Sequence, residues 1–171
     1  NGIQEVDEEA LTVNPRGDAS FDMTEVELER FGRRVGRMAL DEGVFVCLYG
    51  ELGAGKSTLA RAACRGAGVT GPVPSPTFTL VNQYEVEGGT TVQHADLYRL
   101  DTFEGLLDMG WEALVQSEGA VFVEWADRAT GHLPVDRWDI RLDFVDSPSR
   151  RRVGIVARGS APPPPDAEGQ S

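Results

Sequence analysis

Lysine is almost absent from this chain. Fifteen of its sixteen basic residues are arginine and Lys56 is the single lysine, set against 28 acidic residues for a net formal charge of −12. That deficit removes the cationic field on which sequence-independent binding to phosphate backbones depends, so the chain does not read as a free-standing nucleic-acid binder. Cysteine is also scarce. Cys47 and Cys64 form neither a disulfide framework nor a CxxC pair, and each falls in an apolar segment where a free buried thiol is expected. With two histidines and no His/Cys cluster, a zinc site has little support. No apolar run approaches the roughly 18 residues of a membrane-spanning helix. The acidic opening stretch has no apolar core of the kind a secretory signal needs. A reducing cytoplasm, with no membrane partner, is the expected setting.

What is present suits one domain: 171 residues, of which 40% are apolar, are enough for a real core. Residues 1–22 show no apolar periodicity and read as a flexible acidic arm, whereas 159–171, with four consecutive prolines, reads as a disordered tail. The domain between them, 23–158, begins with a helix. Thr24 and Glu27 have capping-box spacing, Met23 is placed to staple onto Leu28, and Leu28, Phe31, Val35 and Met38 share a stripe that ends at Gly43. The apolar run 44–49 predicts a strand buried on both faces, and 56–66 a helix. Segments 78–86 and 90–94 flank Glu87-Gly88-Gly89 as a hairpin, 102–117 holds one or two short helices, and 120–123 is a short buried strand. Segments 138–145 and 151–157 alternate as edge strands, and the Arg150–Arg152 triplet reads as part of a solvated edge. The expectation is an α/β fold, a mixed sheet flanked by helices.

The segment Gly50-Glu51-Leu52-Gly53-Ala54-Gly55-Lys56-Ser57 matches G-x-x-x-x-G-K-[ST] without departure, and it joins a buried strand to a helix. Its chemistry requires that arrangement. Glycines let successive N–H groups turn inward around phosphates, the helix N-terminus adds partial positive charge, Lys56 reaches the terminal phosphates, and the Ser57 hydroxyl is a ligand for Mg²⁺. A compact ammonium in a chain that otherwise uses arginine is consistent with a cradle that a planar guanidinium would crowd. Such a site also needs a carboxylate at the end of a nearby strand. Two strands end in an acid, the one at Asp96 and the one at Glu124, and either acid is placed to hold the metal or to orient an attacking water. His94 could assist proton transfer, but a histidine two residues before an acid reads more readily as a structural hydrogen-bonding residue.

Together with Ser75-Pro76-Thr77-Phe78-Thr79-Leu80-Val81-Asn82, His94-Ala95-Asp96-Leu97-Tyr98-Arg99-Leu100 and Glu124-Trp125, the GELGAGKST unit resembles the TsaE (YjeE) family, P-loop ATPases of bacterial tRNA threonylcarbamoyladenosine (t6A) synthesis. The resemblance spans about residues 24–157, with one departure: Gln83 stands where the family commonly has an acid. It implies a P-loop NTPase fold in which Gly50–Ser57 and Thr58 bind ATP phosphates. It also implies Ser57, Asp96 and Glu124 at the Mg²⁺, Lys56, Asp96 and Glu124 in hydrolysis, Thr77 as a sensor of the γ-phosphate, and Trp125 near the nucleotide. It implies action with TsaD and TsaB, with tRNA reached only through that complex. Two other classes stand beside this reading. A small-molecule P-loop kinase would need an arginine-rich lid, and 100–130 offers Arg128 alone. A nucleotide-dependent binding module without significant turnover would keep the loop and not the hydrolytic acids.

Overall fold

The computed structural model describes residues 19–76 and 80–166. Residues 1–18 of the acidic arm, the end of the tail at 167–171, and Thr77 lie outside the described residues. Seven strands form one mixed sheet: β1 (Ala19–Thr24), β2 (Phe45–Tyr49), β3 (Val81–Glu85), β4 (Thr91–Asp96), β5 (Ala120–Glu124), β6 (Arg137–Phe144) and β7 (Arg150–Arg158). Their spatial order is β1-β7-β6-β2-β5-β4-β3. The four strands β6, β2, β5 and β4 run parallel, whereas β3, β7 and β1 pair with their neighbours antiparallel. The mixed sheet, the early helices and the hairpin agree with the expectation from sequence.

Helix α1 (Glu25–Glu42) begins with the expected capping box: Thr24 N–H donates to Glu27 Oε2 at 2.9 Å, and Glu27 N–H donates to Thr24 Oγ1 at 3.3 Å. Met23 and Leu28 are both buried in the same cluster. Helix α2 (Lys56–Gly66) lies beside α1 on one face of the sheet, over Val46, Leu48, Phe122, Ile140 and Leu142. Two short helices, α3 (Phe103–Asp108) and α4 (Trp111–Val115), cover the other face over Phe45, Cys47, Val121 and Val123. Alternate residues of β2 and β5 therefore enter two separate cores, which explains their unbroken apolar runs. Cys47 and Cys64 are buried and free, and burial pushes the Cys64 thiol up to about 12.

Helices α1 and α2 touch backbone to backbone. A Cβ on Gly36 would lie 1.8 Å from the Ala63 carbonyl oxygen, and one on Gly66 would lie 2.0 Å from that of Arg33. This contact fixes the height of α2 over the sheet, and with it the position of the loop that opens α2.

Three features differ from the sequence reading. Residues 19–22, assigned to the flexible arm, belong to β1, which pairs with Arg150–Ile155 of β7. Strands β6 and β7 are consequently interior, and β1 and β3 are the edges. Arg152, read as part of a solvated edge, holds both oxygens of Asp22 at 2.8 and 3.1 Å, and Asp22 is held below the usual carboxylate range by that bond. The third difference is the start of the tail. Trp138 is fully buried, its indole N–H donates to Pro162 O at 2.7 Å, and Pro165 is buried. Prolines suit such a cover because they offer carbonyl acceptors and bring no N–H that needs a partner.

Ending the chain at Arg158 is expected to cost about 1–3 kcal/mol in urea unfolding, since it removes the acceptor of the Trp138 N–H and uncovers the indole. The loss should shrink in a Trp138→Phe background. Gly36→Ala should destabilise by about 2 kcal/mol or more, because overpacking against backbone exceeds the roughly 1 kcal/mol that alanine gains in helix propensity. Unchanged urea midpoints would refute either statement.

Candidate active site

Parallel strands place their C-terminal ends on one rim of the sheet, which is where open α/β sheets bind ligands. Here β2 delivers the glycine-rich loop, β5 ends in Glu124 and β4 ends in Asp96, with Glu124 opposite both Leu48 and Asp96 in register. Gly50, Gly53 and Gly55 have φ of 151°, 81° and 109°, backbone that a side chain would strain, and a Cβ on Gly50 would meet the Leu142 carbonyl oxygen at 2.6 Å. Glu51 and Leu52 form the exposed crest of the loop, and Ala54 anchors it in the core.

Lys56 is only 4% exposed. Its Nζ donates to Gly50 O and, at 2.9 Å, to Glu51 O, and lies 3.9 Å from the centroid of the Trp125 ring. Burial lowers the pKa of this ammonium, and the nearby charges of Glu124, Asp127 and Asp96 oppose that shift. Trp125 adopts a left-handed backbone with φ of 56°, rare for a bulky residue, and packs on Tyr98 with ring centroids 4.8 Å apart. The strained turn directs the indole back over the loop.

Glu124 is 1% exposed and accepts from both sides. Ser57 Oγ donates to its Oε1 at 2.6 Å, and His94 Nε2 lies 2.6 Å from its Oε2. Asp96, at the adjacent strand end, accepts from the Tyr98 N–H at 2.9 Å. Its pKa is raised chiefly by burial and further by Glu124, against the lowering effects of the Tyr98 N–H, His94 and Lys56. A cavity of about 200 Å³ opens over Lys56, Ser57, Thr58, Glu124 and Trp125. A second, of about 190 Å³, lies across the loop between Leu28, Thr58, Pro148 and Arg151.

Comparison with known proteins agrees with this geometry. The family model "Threonylcarbamoyl adenosine biosynthesis protein TsaE" matches residues 23–153. The chain belongs to the TsaE family. It is 34% identical over 138 residues to the tRNA threonylcarbamoyladenosine biosynthesis protein TsaE of Haemophilus influenzae, covering 78% of this chain and 85% of that one. To the Bacillus subtilis protein of the same name it is 36% identical over 118 residues, 69% of this chain and 72% of the other. The crystal structure of B. subtilis YdiB superposes with a TM-score of 0.64 at 25% identity, covering 83% of this chain and 86% of that one.

Within this TsaE-family site the structure brings Lys56, Ser57, Thr58, Glu124 and Trp125 around one cavity, with Asp96 on the neighbouring strand end. Thr77 is outside the described residues. His94 is the hydrogen-bonding residue expected beside the acids, and its partner is Glu124, on the strand that lies next to β4 in parallel register. Its signal was its place two residues before Asp96, on the face of β4 opposite to that of Ala95.

Asp96 yields a test of the electrostatics. A carboxylate whose folded pKa lies above its unfolded value of 3.8 costs stability when ionised. That cost is complete above the folded pKa and disappears as the pH falls through it toward 3.8. Asp96→Asn keeps an oxygen for the Tyr98 N–H, so it should stabilise the nucleotide-free protein at pH 7 and lose that advantage on acidification. Urea unfolding at several pH values measures it, and a neutral-pH loss of stability would contradict it.

Proposed function

We propose that this chain is a Mg²⁺-dependent ATPase that serves as a subunit of the machinery making threonylcarbamoyladenosine in tRNA. One observation carries the reading: the hydroxyl of the phosphate-loop Ser57 is hydrogen-bonded to a buried carboxylate, Glu124, on the adjacent parallel strand, beside a sequestered Lys56. The names of the relatives supply the pathway.

The donors fit magnesium. Ser57 and Glu124 present hard oxygens with Asp96 next to them, and among the described residues no group of three or more His, Cys, Asp or Glu forms an all-protein cage. Mg²⁺ is ordinarily held by one or two protein oxygens together with phosphates and water. When bound, the ion would supply charge to offset that on the phosphate oxygens.

The remaining work falls to the chain itself. The Gly50–Ser57 loop aims its N–H groups and the start of α2 at the phosphates. Lys56 moves from the loop carbonyls to the terminal phosphate oxygens, where its point charge offsets what develops during in-line attack by water. Glu124 steadies the Ser57 hydroxyl, which leaves Asp96, half-buried with a raised pKa, as the better-placed group to orient the water. Trp125, backed by Tyr98, walls the cavity on one side. The second cavity, with Leu28 and Pro148 as apolar walls, offers room for the nucleoside. TsaD and TsaB are the partners this reading implies, with tRNA met through them; the −12 charge disfavours direct binding.

The test is ATP hydrolysis by the full chain with and without TsaD and TsaB. The pair should stimulate turnover, Lys56→Ala should abolish nucleotide-dependent association, and Glu124→Gln or Asp96→Asn should retain ATP binding while lowering kcat about 100-fold. Unchanged hydrolysis in both acid variants would remove them from the site. Transfer of phosphate to a small acceptor would replace this reading with a kinase.

A further inference from the structure

We propose that His94 is a positioning residue that locks the Glu124 carboxylate onto the Ser57 hydroxyl; the inference rests on the Mg²⁺-dependent reading of the site. His94 is 1% exposed, on β4 opposite Phe122 of β5. A carboxylate that holds a metal is ionised and only accepts hydrogen bonds, which assigns the proton between His94 and Glu124 to Nε2. Each oxygen of Glu124 then has one donor, Ser57 Oγ on Oε1 and His94 Nε2 on Oε2, both at 2.6 Å. The terminal torsion of a glutamate is broad and roughly two-fold, so one donor leaves it free to swing, whereas two donors from different elements fix it.

The other ring nitrogen shows what the imidazole is for. His94 Nδ1 is buried and has no hydrogen-bond partner among the described residues. The bond to Glu124 is therefore the one polar contact the ring makes there, at a strand position an apolar side chain would fill without an orphaned atom. The ring donates this hydrogen bond without bringing the permanent positive charge of an arginine beside the place a metal would occupy. Lys56 gives the clamp its consequence. It lies within the electrostatic reach of Glu124, and a carboxylate released from His94 would be drawn to the ammonium and away from Ser57. Ser57 would lose its acceptor, and the carboxylate would leave the place where it can face a metal held by Ser57.

The experiment uses the full chain as wild type, His94→Ala, His94→Gln and Glu124→Gln. A glutamine amide places an N–H close to where Nε2 stands. Mg²⁺ titrated calorimetrically into the ADP-bound protein should bind about 10–100-fold more weakly to His94→Ala, with recovery in His94→Gln. ADP affinity in excess chelator should stay within about twofold, because the loop N–H groups are untouched. In hydrolysis, kcat should fall with the KM for ATP little changed. In the metal-free wild type, ¹⁵N NMR should find Nε2 protonated and Nδ1 bare. Wild-type Mg²⁺ affinity in His94→Ala overturns the inference, as does a ring protonated on Nδ1 alone. If His94→Ala does not fold, His94→Gln decides: Mg²⁺ affinity near wild type supports the clamp, and a loss as deep as that of Glu124→Gln refutes it. An impaired Glu124→Gln beside an unimpaired His94→Ala sinks the clamp and leaves the ATPase reading standing. A Glu124→Gln that behaves as wild type sinks both.

Discussion

A carboxylate taken almost entirely out of water has to be answered by donors, and the architecture around Glu124 is arranged to provide them. One donor comes from the first turn of α2 and the other from the neighbouring strand β4. Neither is within reach unless β4, β5 and β2 run parallel with their ends level, and unless α2 sits at one height above the sheet. The glycine contacts between α1 and α2 let the two helices pack backbone to backbone, a close approach that a side chain at either position would prevent. The capping box at Thr24 and the edge strand β1 belong to the same dependency, because they hold the start of α1 against the phosphate loop.

The rim carries an energetic cost. Burial lowers the pKa of Lys56 and raises that of Asp96, so each is held where its charge is disfavoured. Trp125 adds a left-handed backbone, a strain of about 1–3 kcal/mol for a residue of that size. Lys56 spends its donors on two loop carbonyls, and Glu124 is met by the Ser57 hydroxyl and the His94 ring. A polyphosphate with a divalent cation would relieve these tensions together, giving Lys56 an anion and the two acids a cation. A site tuned for stability alone would have none of them.

Local chemistry was legible in the sequence, and neighbourhood was not. The glycine pattern, the capping box, the Gly-Gly hairpin and the acid-terminated strands are each written in a few adjacent residues, and each stands where it was expected. The family motifs carried the assignment further than spacing alone. What was missed depends on pairing between distant segments. Strand β1 has only Phe21 and Met23 to mark it within an acidic context, and its partner lies about 130 residues away. The prolines after Gly159 look solvated until Trp138 needs a carbonyl. His94 looked ordinary because its meaning lies in Glu124, thirty residues on.

The scarcity of lysine gains a physical reason from the loop. Elsewhere in the described structure two arginines serve as forks: Arg152 holds Asp22 and Arg137 holds Asp139, each through two nitrogens, and Arg158 adds one further bond to Asp139. A planar guanidinium suits those partly exposed bidentate pairings. At position 56 the side chain is almost wholly buried, bounded by two carbonyl oxygens and the face of an indole. A fork would have to leave some of its five donors unanswered or push Trp125 aside. A compact ammonium can bond the carbonyls, face the ring, and rotate toward phosphate on the same stem. The residue type follows from the shape of the enclosure, and the surface of the chain, left to arginine and a large excess of acid, had no comparable need.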